Sequence, residues 1–238
     1  MTSKRKTEHR ENLLLNIGLN IVVPVIILTW FSDEGRLGPV LALVIALAFP
    51  VAYGLYDFGI RGGFNFYSAI GFVSVLLTGG IGLLKLPVEL LAIKEAAVPL
   101  VVAVSVVGSL RTNYPIVKIV LHKIIDEEAV YQSLHETDRV EVYENRILKT
   151  TYLILFGLLT SAVLNYFLAR LVVVSEPGTA EFNAELGRMT ALSFPVITVP
   201  SMAILAIALY YLVSGIIKET GLSIEEIVKA AKTDSKTD

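Results

Sequence analysis

The 238-residue chain is 54% apolar, and its mean hydropathy of +0.68 is too high for an ordinary soluble domain. It contains no cysteine, which excludes disulfides, thiolate metal sites and cysteine nucleophiles together. The formal net charge of −2 excludes little, because the placement of charges along such a chain matters more than their sum.

The apolar residues come in runs of about 18 or more, the length a helix needs to cross a hydrocarbon core of about 30 Å. They predict an all-α, polytopic membrane helix bundle of six transmembrane helices plus a cytosolic or interfacial amphipathic helix. Residues 1–12 form a basic tail with Lys4, Arg5, Lys6 and Arg10, and the first four spans occupy 13–110. The first run, 13–31, is too long for a signal peptide, has Pro24 in its middle and lacks a small-x-small cleavage site, so it is read as a retained span. Asn12, Asn16 and Asn20 recur every four residues, which places three amides on one face for interhelical hydrogen bonds or for the lining of a path.

Ser32 to Arg36 make a short turn beside Trp30 at interfacial depth, and a second span covers 37–56. Asp57 and Arg61, four residues apart, brace a last helical turn before Gly62-Gly63. The third span, 65–84, carries Gly71, Ser74, Thr78 and Gly82 as a small-residue stripe that admits a neighbouring backbone closely. Gly79-Gly80-x-Gly82 lies inside this apolar run with no strand before it, so it is not a nucleotide loop.

The fourth span begins near Val88 or near Glu95. On the first reading Lys94 and Glu95 lie inside the helix, where a charge is costly unless paired or hydrated; on the second they are interfacial. Adjacent helical residues point about 100° apart, which predicts that the two charges do not neutralise each other across one face.

Residues 111–149 form a polar cytosolic connection. Within 115–128, Ile116, Val117, Val120, Leu121, Ile124 and Ile125 are set against Lys118, His122 and Lys123, the pattern of a helix that lies in the membrane interface. The remainder, to Arg146, extends the next helix into water. Spans five and six occupy 150–217, with Asn165 and Arg170 toward the far end of the fifth. Residues 175–190 are expected to form the largest outer loop, opening on the turn Glu176-Pro177-Gly178. Pro195 and Pro200 interrupt the sixth span, and Gly221 ends it. In the tail, 218–238, Ser223-Ile224-Glu225-Glu226 is a capping box for a short exposed helix.

Six spans put the termini and the long connection on one side, which then holds 15 of the 20 Lys and Arg residues. The positive-inside rule places that side in the cytoplasm. Glu89, Lys94, Glu95, Arg170 and Arg188 then gather at the outer ends of spans four to six, as a charge-paired vestibule or as charges reaching to water. The candidate intramembrane polar residues are therefore Asn12, Asn16, Asn20, Lys94, Glu95, Asn165, Arg170 and Arg188. The interfacial helix contributes Lys118, His122 and Lys123.

No HExxH, G-x-S-x-G, intramembrane aspartate pair or in-span histidine occurs, so no enzymatic activity, cofactor or metal is expected. His9, His122 and His135 sit far apart in polar segments. The connection carries 7 acidic against 6 basic side chains, which argues against nucleic acid as a partner and leaves the lipid bilayer as the certain one.

The run Leu77-Thr78-Gly79-Gly80, the charged turn to Lys94 and Pro99, the exit through Asn113-Tyr114-Pro115-Ile116, and Phe156-Gly157 with Leu164-Asn165-Tyr166 together resemble the intracellular septation protein A family and its bacterial relatives. The likeness covers spans three to six; the Asn-rich first span and the longer charged connection from Asp126 to Arg146 depart from that pattern. What the resemblance implies is a multi-pass inner-membrane protein, linked to cell-envelope synthesis and division, with no established enzymatic activity. Two functions follow as expectations. One is a non-catalytic protein, capable of homo-oligomerisation, that assembles with envelope or division proteins through its cytosolic connection. The alternative is a small oligomeric transporter or channel with the Asn12/Asn16/Asn20 face and the Glu95 cluster along a polar path.

Overall fold

The structure, a computed structural model, describes residues 18–61, 66–112, 115–136 and 139–227. These residues form helices and turns, with no strand among them. Helix α1 (Val23–Trp30) is entered through a π turn (Gly18–Val22), and α2 (Gly38–Arg61), α3 (Phe66–Leu83) and α4 (Glu89–Ser109) follow. Two short helices, α5 (Ile116–Ile124) and α6 (Glu127–Glu136), lead to the long α7 (Val140–Val172). Helix α8 (Ala180–Ser193) runs through a π turn (Phe194–Thr198) into α9 (Val199–Thr220), and α10 (Ile224–Ile227) is the last element. Four runs are long and apolar enough to cross a membrane: Gly38–Leu55, Glu89–Ser109, Val140–Val172 and Ala180–Thr220; a shorter apolar run covers Phe72–Leu83. The chain is thus an all-α membrane protein. Asn12 and Asn16 lie outside the described residues, as does the side chain of Asn20.

The chain divides into two compact units, one of residues up to Glu95 with Tyr166–Phe194, the other of Ala96–Asn165 with the residues from Pro195 on; the division falls inside α4 and α7. In the first unit α1 packs on α2 and α8, and α2 also meets α3 and α8. Ala42, Leu43 and Ala46 are buried on one side of α2. Leu43 lies so close to α3 that a Cβ on Gly82 would collide with it and come within 3.3 Å of the Phe182 ring. The close neighbours of Gly82 are thus side chains and not the backbone that the stripe on α3 implied.

The expected outer loop over 175–190 is corrected by α8. Phe182, Leu186 and Met189 recur at i, i+4 and i+7 and are buried, so this segment has a helical apolar face with somewhere to go. Thr179 caps it, its hydroxyl accepting from the Phe182 N–H at 3.1 Å. Glu185 closes the preceding turn by accepting from the N–H groups of Val174 (2.9 Å) and Ser175 (2.8 Å).

The second unit has a core of its own. Val117 and Leu121 of α5, Ile125 after it, Val130 and Leu134 of α6, Tyr143 and Ile147 of α7, and Leu212 and Ile216 of α9 meet there with Ile227 of α10. Full burial of each such aliphatic side chain stabilises by about 1.5–3 kcal/mol. The expected single helix over 115–128 is corrected: it breaks at Ile125–Asp126, where the Asp126 N–H donates to the Ile227 carbonyl at 2.8 Å, and α6 starts anew. The expected short tail helix forms as α10, with Ser223, Ile224, Glu225 and Glu226 exposed and Ile227 anchored in the core. Gly221 ends α9 at φ +71°, a left-handed conformation that glycine takes without strain. The capping box forms as expected, with Glu226 Oε2 accepting from the Ser223 N–H (2.8 Å) and hydroxyl (2.9 Å), and Ser223 Oγ accepting from the Glu226 N–H (3.3 Å).

Candidate functional site

Helix α4 starts at Glu89, so Lys94 and Glu95 both lie within the helix. Lys94 falls in its second turn and is buried, at 8% relative exposure. A charge there is held only by what surrounds it. Lys94 Nζ donates to Thr78 Oγ1 (2.8 Å) and Ser74 Oγ (3.3 Å), and it lies 2.6 Å from Glu95 Oε1. Thr78 Oγ1 in turn donates to the Ser74 carbonyl at 3.1 Å. The expectation that adjacent charges cannot neutralise each other is therefore corrected. Lysine has four methylenes, and its ammonium swings back over α3 to a point that the neighbouring carboxylate also reaches.

The other charged and polar candidates separate. Arg170 Nη1 donates to Glu89 Oε1 at 3.0 Å, but both side chains are about half exposed and such a pair contributes at most about 1 kcal/mol. Arg188 is exposed on α8 and has no ion-pair partner among the described residues. Asn165 turns back on its own helix, its amide donating to the Ser161 carbonyl (2.8 Å) and hydroxyl (3.3 Å). Between α7 and α9 lies a groove of about 230 Å³ whose lining is aliphatic apart from Gly157 and the hydroxyls of Ser161 and Ser201. In the first unit, Asn183 donates to Ser32 Oγ (3.0 Å) and the Pro39 carbonyl (2.7 Å), tying α8 to the turn between α1 and α2.

A second set of charges braces the second unit. Lys118 Nζ lies 2.5 Å from Glu144 Oε2, and the Tyr131 hydroxyl donates to Glu144 Oε1 at 2.5 Å, so one carboxylate joins α5, α6 and α7. Glu219 of α9 is paired with Arg139 and faces Arg146 Nη2 at 3.9 Å. The Arg146 guanidinium stacks 4.8 Å from the centroid of Tyr211, donates to its carbonyl at 3.2 Å and packs directly on Gly215. The side chains of His122 and Lys123 lie outside the described residues, and His135 is exposed on α6.

Ser74 and Thr78 stood out in the sequence only as small residues, with nothing to mark them as partners of Lys94. Tyr131, Glu144, Arg146, Tyr211 and Glu219 gave no local signal, because their partners are distant in sequence. Among the described residues no group of His, Cys, Asp or Glu is placed to hold a metal ion. What fold and site define together is an all-α membrane protein with an internally neutralised lysine in its first unit and a salt-bridged helical platform in its second. Comparison with protein-family models, with curated proteins and with solved structures gives no match.

Proposed function

We propose that the chain is a six-span protein of a bacterial inner membrane, with both termini in the cytoplasm, that acts without catalysis by holding cell-envelope or division proteins at its cytosolic face. The observation that carries this reading is the core of the second unit. The polar connection between the fourth and fifth spans is built as a folded platform of α5, α6 and the first turns of α7, closed by α9 and α10. A loop that only joins two spans needs no such core. The excess of Lys and Arg in the termini and connection supports the cytoplasmic placement. The resemblance to the septation protein A family gives the direction toward division.

Helix α6 presents Glu128, Gln132 and His135, exposed and spaced as one helical face, as the surface for a partner. Lys118 and Arg139 are poor probes of docking, because each is ion-paired within the platform. The test is crosslinking in living cells, followed by purification of a tagged copy and mass spectrometry of what accompanies it. Division or wall-synthesis proteins should be recovered with the native chain and lost with the Glu128→Ala, Gln132→Ala, His135→Ala triple variant. Recovery of the chain alone, or the same partners with the variant, contradicts the proposal.

A transporter is the second reading, and the buried Lys94 with Glu95 is the observation that favours it. Against it, Asn165 bonds within its own helix and the α7/α9 groove is apolar, so neither supplies a polar path. Proton-coupled flux in vesicles that disappears in Glu95→Gln, with the fold intact, supports transport; unchanged flux removes it.

A further inference from the structure

Helix α5 is fixed in depth at its start. The Ile116 N–H donates to Ser109 Oγ at 3.0 Å, and that hydroxyl donates to the Val106 carbonyl at 2.7 Å. Ser109 is the last residue of α4, one of the runs able to cross a membrane. Helix α5 therefore begins at the level where α4 leaves the hydrocarbon. Its nine residues span only about 13 Å, too short to cross back.

Three faces of α5 have different surroundings. Val117 and Leu121 go into the platform core, and Lys118 pairs with Glu144 of α7. Ile119, Val120 and Ile124 point elsewhere and are left 43%, 46% and 50% exposed by the protein. The sequence had assigned Val117, Leu121 and Ile125 to the membrane; the structure takes these away and leaves a different stripe that includes Ile119. Arg111, exposed in the turn just before α5, adds a cation at the same end.

We infer that the Ile119/Val120/Ile124 face rests in the boundary between headgroups and acyl chains of the adjoining leaflet, so that the lipid surface is the partner covering α5. An apolar helix face docked this way sinks about 5–10 Å into that boundary, and a basic residue beside it meets the phosphates. Helix α5 thus joins the platform to the bilayer, one face in the protein core and another in lipid.

The test uses the absence of native cysteine, so that single cysteines carry a fluorophore without background. Full-length chains with Ile119→Cys, Ile124→Cys, Val104→Cys or Glu128→Cys are reconstituted into phosphatidylglycerol/phosphatidylethanolamine vesicles. Quenching by iodide in water is compared with quenching by nitroxide lipids labelled high or low on the acyl chain. Val104, exposed on α4, reads separately whether α4 crosses the bilayer, and Glu128, exposed on α6, serves as the water reference. Expected are blue-shifted emission at 119 and 124, quenching there mainly by the shallow nitroxide, and quenching at 104 by the deep one. With 104 in lipid, labels at 119 and 124 that respond to iodide overturn the inference. Labels shielded from iodide and nitroxides alike also overturn it, because protein then covers the face.

Discussion

Lys94 shows how a charge survives inside an apolar helix pair. Two hydroxyls and a carboxylate around one ammonium replace much of the water it gave up, and the net charge of the cluster is zero. Removing one partner of such a pair is worse than removing both, since it leaves the other buried and uncompensated. Glu95→Gln alone should therefore lower stability by about 3 kcal/mol, while Lys94→Met with Glu95→Leu restores most of it. Unfolding of the purified protein in mixed micelles with increasing dodecyl sulfate checks the order; equal losses from the single and the double change would contradict it. The sequence marked Lys94 and Glu95 by their place in an apolar run. It hid their pairing because the directions of adjacent Cβ atoms describe short side chains and say little about where a lysine ammonium ends.

Among the elements, the helices with one clean apolar period were legible and those with divided faces were not. Helix α2 follows from a run without charge over 37–56, and the run after Glu95 marks α4 but not its start, while α8 was masked by the Glu176-Pro177-Gly178 turn and by Glu181, Glu185 and Arg188, although Phe182, Leu186 and Met189 kept the period. Helix α5 was recognised as amphipathic, but the sequence could not tell which aliphatic residues face protein and which face lipid, since both solvents favour the same side chains. The junction of α7 with α9 was invisible, because Arg146 meets Tyr211, Gly215 and Glu219 about 65 to 73 positions away along the chain. That junction depends on a missing Cβ. Gly215→Ala puts a methyl where the Arg146 guanidinium lies and should cost about 1–3 kcal/mol. Arg139→Ala removes only a half-exposed partner of Glu219 and should cost under about 1 kcal/mol. Thermal unfolding of the two variants side by side decides this, and a larger loss for Arg139→Ala would assign the junction to the wrong arginine.

For the whole molecule, the apolar runs make a membrane-embedded chain, and the proposed function adds, from the one-sided distribution of Lys and Arg, that the platform is cytosolic. Everything in that placement depends on α6 and α10 lying on one side of the membrane and the turns around Glu34 and Glu176 on the other. The most direct measurement is labelling of single cysteines by a membrane-impermeant maleimide, applied to spheroplasts and to inverted vesicles. Glu34, Glu128, Glu176 and Glu225 are all exposed, and the chain has no cysteine to confuse the signal. Cysteines at 34 and 176 should label only in spheroplasts, and those at 128 and 225 only in inverted vesicles. Labelling of 128 and 176 from the same side would contradict the threading and, with it, a cytosolic platform.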